Sequence, residues 1–120
     1  MERRKFDRRP IIAEATLISS KSSRKIPVWV RNVSVKGMRI TFYKTFCCEN
    51  CEFYPINDYN ICKKKNNCEI YELKKVIEII SQGKICTEIE GKKIEHQYEV
   101  KWYKVLDDSD MIDFGIQFLD

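Results

Sequence analysis

The sequence predicts a mainly β protein: a six-stranded antiparallel β-barrel that carries an irregular cysteine-rich insertion and one short helix. Three observations lead to this fold class. Six segments alternate between apolar and polar residues, turn-forming residues separate them, and the 120-residue chain with 43% hydrophobic residues fits one domain with a modest core. A barrel is favoured because its closure removes the unpaired edges of a sheet. We therefore expect a single domain over residues 1–120.

The first three predicted strands follow one another closely. Residues 11–18 alternate along their whole length, and a polar turn at residues 21–25 leads into a second alternating segment. A tight turn at Lys36-Gly37 leads into the third strand. The apolar positions of the second and third strands are Ile26, Val28, Val30, Met38, Ile40 and Phe42, with Arg39, Thr41 and Tyr43 opposite them.

Three further strands are predicted near the end of the chain, at about residues 84–90, 94–106 and 111–119. Turns at residues 90–92 and 107–110 separate them. Alternation in the second of these strands predicts that Tyr98, Val100 and Trp102 share one face.

The middle of the chain breaks this pattern. Residues 47–68 are rich in Cys, Asn, Lys and Tyr without alternation, which indicates an irregular insertion whose two ends lie close together. Apolar residues then recur at helical spacing and predict a helix over residues 69–81, with Asn67 as a candidate N-cap and Gly83 just past its end. The β-branched residues of this stretch also fit a strand.

The positive charge is concentrated at the N-terminus. The net charge is +4, and within residues 1–9 five basic residues against two acidic ones give +3, which leaves +1 for the remainder. We expect residues 1–10 to form a flexible basic arm for a small anionic partner. Nucleic acid is a less suitable partner, because its binders spread basic residues along an aromatic groove. No apolar run reaches the ~18–20 residues of a membrane span, so we expect a soluble, cytoplasmic protein.

Two short motifs carry the functional signal. Arg4 and Arg8 form an RxxxR pattern within the arm, and Asn32-Val33-Ser34-Val35-Lys36-Gly37 forms an NxSxxG pattern after one strand-like segment. Near the end, Val100-Lys101-Trp102 is followed by Phe114-Gly115-Ile116-Gln117-Phe118. In this order and separation the motifs resemble those of the PilZ family, over most of the chain.

The PilZ resemblance implies a receptor for cyclic di-GMP. By motif match, the ligand-binding residues are Arg4, Arg8, Asn32, Ser34 and Gly37, with Arg3 as a third arginine and Trp102 as a weaker candidate near the pocket. The residue types suit the ligand, since a guanidinium grips phosphate, pairs with the O6/N7 edge of guanine and stacks on aromatic rings. Asn32 and Ser34 lie two positions apart at a strand end, so we expect them on one face; Gly37 permits a positive φ and a close backbone approach.

Five of the six cysteines cluster in or at the insertion, and Cys86 stands apart on a strand. Cys48 and Cys51 have the CxxC spacing of a zinc ligand pair, and Cys62 with Cys68 completes a candidate set of four thiolates. A zinc ion would stabilise the fold of a segment that has few core-forming residues. Free thiols in a reducing compartment and a redox disulfide are the alternatives.

The sequence thus leaves two functions open. The first is a cyclic di-GMP receptor that engages a protein partner after nucleotide capture. The second is a protein-interaction module on a PilZ-like barrel that binds no nucleotide and is organised by a metal-stapled insertion. Neither is an enzyme, since the sequence contains no candidate constellation for nucleophilic or acid–base catalysis.

Overall fold

The structure is a computed structural model that describes residues 9–22, 24–49, 51, 68, 72–106 and 110–120. Most of the predicted basic arm, the middle of the predicted insertion, the first residues of the predicted helix and part of the last predicted turn lie outside these ranges.

Six antiparallel strands close into a barrel in the order β1-β2-β3-β6-β5-β4, with β4 pairing back onto β1. The fold class predicted from the sequence, a closed six-stranded antiparallel barrel, is confirmed. The strands are β1 (Arg9–Ser19), β2 (Lys25–Val33), β3 (Gly37–Tyr43), β4 (Gln82–Ile89), β5 (Lys92–Val105) and β6 (Met111–Phe118).

Two helices occur among the described residues. The second, α2 (Leu73–Ile80), lies within the range 69–81 where helical spacing was expected. The first, α1 (Lys44–Glu49), was not predicted, and it makes the start of the supposedly irregular segment 47–68 helical. Its position explains why: Phe46 stacks on Trp29 with ring centroids 4.7 Å apart, and the next residue, Cys47, is buried in the core. Tertiary packing therefore favours a helical turn that the local sequence does not indicate.

The barrel interior follows from the two-residue alternation of the strands. Its largest fully buried side chains include Tyr98, Phe42, Phe114 and Leu17. Helix α2 adds Val76, Ile79 and Ile80 to the same core and contacts the end of β1 at Ser19. A single apolar cluster therefore holds the barrel and α2 together.

Side-chain hydroxyls of the barrel hydrogen-bond the last carbonyl groups of α2. The Tyr98 hydroxyl donates to the carbonyl of Ile80 at 2.7 Å, and the Ser19 hydroxyl donates to the carbonyl of Ile79 at 2.7 Å. The last carbonyls of a helix have no partner within the helix, so such bonds are needed where the helix end is buried. Burial raises the pKa of the Tyr98 phenol well above its ordinary value, which keeps its hydroxyl protonated as a donor.

The turn between β4 and β5 confirms the one predicted at residues 90–92. Glu90 and Gly91 both have positive φ, 53° and 78°, and connect the paired residues Ile89 and Lys92. Two successive positive φ values are typical of a two-residue type I′ hairpin, whose twist matches that of the strands.

Removing the Tyr98 hydroxyl is expected to destabilise the protein. Tyr98→Phe keeps the packed ring but leaves the buried Ile80 carbonyl without its donor, which costs about 1–2 kcal/mol in the free energy of unfolding. Urea denaturation measures this change. Tyr103→Phe is the matched control, because Tyr103 is half exposed and its change should be close to zero. Equal effects of the two substitutions would contradict the assigned role of the Tyr98 hydroxyl.

Candidate functional site

The candidate site is a row of residues on the outer surface of the barrel. In the register of the strands, Asn32 of β2 pairs with Arg39 of β3, Arg39 with Gly115 of β6, and Gly115 with Trp102 of β5. Cross-strand partners point to the same face of a sheet. We call these four residues the outer row, and it brings the predicted site residues Asn32 and Trp102 to one surface.

Two β-bulges put the ends of the outer row on this surface. The register shifts between Val30 and Asn32, so Arg31 is an extra residue of β2. It shifts again between Val100 and Trp102, so Lys101 is an extra residue of β5. Each extra residue reverses the alternation that follows it. Without the bulges, Asn32 and Trp102 would point into the barrel.

The expectation that Tyr98, Val100 and Trp102 share one face is therefore wrong. Tyr98 is fully buried, whereas the Trp102 side chain is 44% exposed. Strict alternation places residues 98, 100 and 102 together, but the bulge at Lys101 moves Trp102 to the outer surface. A bulge is set by pairing with the neighbouring strand, so the alternation of one strand does not indicate it.

The position of Trp102 depends on the absence of a side chain at Gly115. A Cβ at Gly115 would overlap the Nε1, Cε2 and Cδ1 atoms of the Trp102 ring. The indole thus lies directly against the backbone of β6. This arrangement leaves an exposed aromatic surface on which a planar base can stack.

A polar network fixes the centre of the outer surface. Arg39 donates to Asp113 Oδ2 at 2.7 Å, Thr41 donates to Asp113 Oδ1 at 2.7 Å, and the Nε of the bulge residue Arg31 donates to Thr41 Oγ1 at 3.0 Å. The side chain of Asp113 is only 6% exposed, whereas that of Arg39 is 44% exposed. A buried carboxylate thus anchors a guanidinium that remains accessible to a ligand.

The sequence did not identify Arg31, Arg39, Thr41 or Asp113 as site residues. Alternation in β3 does place Arg39 and Thr41 on the outer face, and that is the available signal. Their partner lies more than seventy positions away in β6. The pairing of β3 with β6 is a property of the closed barrel that neither segment reveals alone.

The NxSxxG segment forms the turn between β2 and β3. Ser34 N–H donates to the Gly37 carbonyl at 2.8 Å, and Phe118 N–H donates to the Lys36 carbonyl at 2.8 Å. The Ser34 hydroxyl lies 3.4 Å from the same Gly37 carbonyl. Hydrogen bonds to both neighbouring strands therefore hold the turn in place.

Gly37 is required for close packing and not for an unusual φ. A Cβ at this position would overlap the carbonyl oxygen of Ile116 in β6, as expected for a close backbone approach. The expectation of a positive φ is wrong, because Gly91 is the glycine with positive φ among the described residues. Gly37 begins strand β3 and has no need of a turn conformation.

Asn32 carries an unused acceptor. Its Oδ1 atom is buried and has no hydrogen-bond partner among the described residues. A buried amide oxygen without a donor is costly, and such groups are uncommon in folded proteins. Asn32 is therefore the residue of the outer row that most needs a donor from outside the described residues.

Arg3, Arg4 and Arg8 lie outside the described residues. The point at which their segment joins the barrel is described, however. Strand β1 begins at Arg9, whose backbone pairs with Val33, and Pro10 pairs with Asn32. Arg8 therefore precedes a residue whose backbone lies beside the NxSxxG segment.

The predicted metal ligands are described only in part. Cys48 is buried and Cys51 and Cys68 are half-buried, whereas Cys62 lies outside the described residues. Within the described ranges, no group of three or more His, Cys, Asp or Glu side chains is arranged to hold a metal ion. The four-cysteine set stays a prediction.

The insertion ends lie close together, as expected from the sequence. Arg24, which follows β1, hydrogen-bonds Cys68 from its Nη2 atom at 3.6 Å and also contacts Cys47 of α1. One guanidinium thus reaches the residues at both ends of the 47–68 segment.

Sequence comparison identifies no relative: no family model matches the chain, and no curated protein is similar to it. Among solved structures, the fold is similar to that of the inhibitor of motility (MotI/DgrA) from Bacillus subtilis, with a TM-score of 0.58 at 10% sequence identity. The alignment covers 100% of this chain and 44% of the neighbour. The chain therefore spans less than half of that protein, and the likeness is one of fold: a PilZ-like barrel.

Substituting Gly115 is expected to displace Trp102. In Gly115→Ala the new methyl group overlaps the indole. The ring must therefore move away from the backbone of β6 and become more exposed. Tryptophan fluorescence measures this change as a shift of the emission to longer wavelength. Because the chain has two tryptophans, the measurement uses a Trp29→Phe background.

Lys93→Ala serves as the control for Gly115→Ala, since Lys93 is exposed on β5, the strand of Trp102, and pairs with Glu88 at the far end of that strand from the outer row. Its spectrum should equal that of the background protein. An unchanged spectrum in Gly115→Ala would mean that Trp102 does not rest on Gly115.

Proposed function

We propose that this protein is a cyclic di-GMP receptor that binds its ligand on the outer row and under the basic arm. The observation that carries the proposal is the backbone pairing of Pro10 with Asn32. It lies next to the surface that presents Arg39 and Trp102, and it supports a contact between that surface and Arg4 and Arg8, which precede Pro10 in the sequence.

The chemistry of the outer surface suits a ligand with two phosphates and two guanines. Arg4 and Arg8, with Arg3, supply guanidinium groups for phosphate and guanine. The amide of Asn32 lies in the outer row, with its Oδ1 atom unpartnered among the described residues, and the hydroxyl of Ser34 lies in the adjoining turn. An exposed indole offers a base-stacking surface, and the anchored guanidinium of Arg39 is a further donor.

The proposed mechanism is regulation without catalysis. Ligand binding fixes the arm against the barrel and so changes the surface that a protein partner meets. Cytoplasmic second-messenger signalling is the proposed setting, and the name of the structural neighbour, an inhibitor of motility, is consistent with a regulatory role. Among the described residues, neither helix has the length and apolar character of a membrane span.

A second candidate function is a protein-interaction module that binds no nucleotide. The observation in its favour is the number of exposed large apolar side chains, among them Val35 at 80% exposure and Tyr103 at 52%. Exposed apolar surface of this kind is typical of interaction sites. In this version, zinc held by Cys48, Cys51, Cys62 and Cys68 would staple the insertion, and the nucleotide motifs would serve only the fold.

Calorimetric titration with cyclic di-GMP distinguishes the two functions. We expect saturable binding that is selective over GTP and cyclic di-AMP, and at least about a tenfold loss of affinity in Arg8→Ala, since a charge-assisted contact contributes roughly 1.5–3 kcal/mol. Asn32→Ala should weaken binding as well, because it removes the acceptor of the outer row.

The matched control is Lys74→Ala, which removes a positive charge from the exposed face of α2, away from the outer row. It should bind as the unmodified protein does. No binding by the folded protein would reject the receptor and favour the interaction module. Equal affinity in Arg8→Ala and the unmodified protein would reject the assigned arginine.

A further inference from the structure

The last part of strand β5 has a neighbouring strand on only one side. The strand pairs with β4 as far as Glu99, whereas its pairing with β6 continues to Val105. Just past Glu99, the Val100 N–H donates to the Ser81 carbonyl at 2.9 Å. Among the described residues, no strand pairs with residues 101–105 on the side away from β6. We call these five residues the β5 edge.

The hydrogen bonds between β5 and β6 determine which backbone groups of the β5 edge face its open side. Leu106 N–H donates to the Met111 carbonyl at 3.1 Å, so these two residues form a hydrogen-bonded pair. Hydrogen-bonded and non-hydrogen-bonded pairs alternate along antiparallel strands, so the backbone groups of Lys104 also face β6. The N–H and C=O groups of Tyr103 and Val105 therefore point to the open side, where a further strand can pair with them.

Apolar side chains border the β5 edge on both faces of the sheet. Tyr103 and Val105 lie opposite the fully buried Phe114 and Ile112, yet they are themselves 52% and 38% exposed. Trp102, on the other face, is 44% exposed. A strand added at this edge would cover part of all three side chains, so apolar burial would add to the backbone hydrogen bonds.

Two lysines of the β5 edge restrict which strand can pair with it, since lysine at a strand edge normally opposes such pairing. Lys101 is already ion-paired within the chain, because its Nζ lies 2.8 Å from Glu99 Oε1. Lys104 has no ion-pair partner among the described residues. A strand that pairs with this edge must therefore place an acidic or an aromatic side chain opposite Lys104.

A second copy of the same edge supplies the aromatic side chain. Because the backbone groups of Tyr103 face the open side, two antiparallel copies can form a hydrogen-bonded pair of Tyr103 residues about a two-fold axis. Lys104 then lies opposite Trp102 of the other copy, and Val105 lies opposite Lys101. In this register no two like charges are opposite each other, and both Lys104 ammonium groups lie beside an indole. A register that places Lys104 opposite itself would bring two cations together.

We propose that the β5 edge is a homodimer interface, at which two copies of this chain pair antiparallel about Tyr103 and join their barrels through a continuous sheet. The contact is self-complementary, so the two-fold arrangement closes and does not extend into a filament. Only five residues of each copy take part, so the association is weak and depends on protein concentration. The inference does not rest on the proposed nucleotide binding.

Sedimentation equilibrium of the full chain tests the dimer, with a thiol reductant present because the chain has six cysteines. We expect a monomer–dimer equilibrium with a dissociation constant below about 1 mM. Amide hydrogen exchange followed by NMR locates the interface: the Tyr103 amide should become protected as the fraction of dimer rises. A protein that stays monomeric up to about 1 mM, or a dimer in which the Tyr103 amide is unprotected, would overturn the proposal.

Tyr103→Lys should raise the dissociation constant of the dimer by at least about tenfold, because it places two like charges directly opposite each other. Leu119→Lys is the matched control, since Leu119 is an apolar residue of similar exposure, 55% against 52%, and lies outside the β5 edge. Its dissociation constant should equal that of the unmodified protein. Equal weakening by the two substitutions would show that the interface is not at the β5 edge.

Lys104→Ala tests the register, and it decides the question even if Tyr103→Lys does not fold, because Lys104 is exposed. Loss of the lysine–indole contact on both sides of the two-fold axis should raise the dissociation constant by at least about threefold. In a dimer where Lys104 lies opposite itself, the same substitution would remove a repulsion and strengthen the association. An unchanged or lower dissociation constant would therefore overturn the pairing about Tyr103.

Discussion

The candidate site depends on the register of the closed barrel, and in particular on the bulges at Arg31 and Lys101. Side chains alternate strictly along a strand, so one extra residue exchanges the two faces beyond it. In this protein the exchange occurs on both sides of the β3–β6 pair. It turns Asn32 and Trp102 outward while Val30 and Val100 keep their places toward the core.

The remaining features of the outer surface follow from the same register. Gly115 lies between Arg39 and Trp102, and only glycine leaves room for the indole. Asp113 lies opposite Thr41, which brings the buried carboxylate within reach of both Thr41 and Arg39. The result is a surface in which an aromatic ring and a guanidinium are both held in place before any ligand arrives. Such preorganisation lowers the entropic cost of binding.

The fold could be predicted from the sequence because its signals are local. Two-residue alternation and turn residues located the six strands to within a few positions, and apolar spacing located α2. The site could be predicted only in part. Asn32, Ser34, Gly37 and Trp102 are predicted by resemblance, but Arg39 and Asp113 meet through strand pairing that no local pattern encodes. Similarly, α1 forms because Phe46 and Cys47 find partners on the barrel, and Arg24 meets its cysteines across a long separation in sequence.

The indole N–H signals of the two tryptophans offer a direct test of the proposed binding of cyclic di-GMP on the outer row. Trp102 lies exposed on the outer row, whereas Trp29 is stacked on Phe46 of α1. A ¹⁵N–¹H correlation spectrum recorded during titration with cyclic di-GMP resolves both signals. Binding on the outer row should give a large, saturable shift of the Trp102 signal, which Gly115→Ala alters, and a much smaller shift of the Trp29 signal. A spectrum in which neither indole responds, or in which Trp29 alone responds, would contradict it.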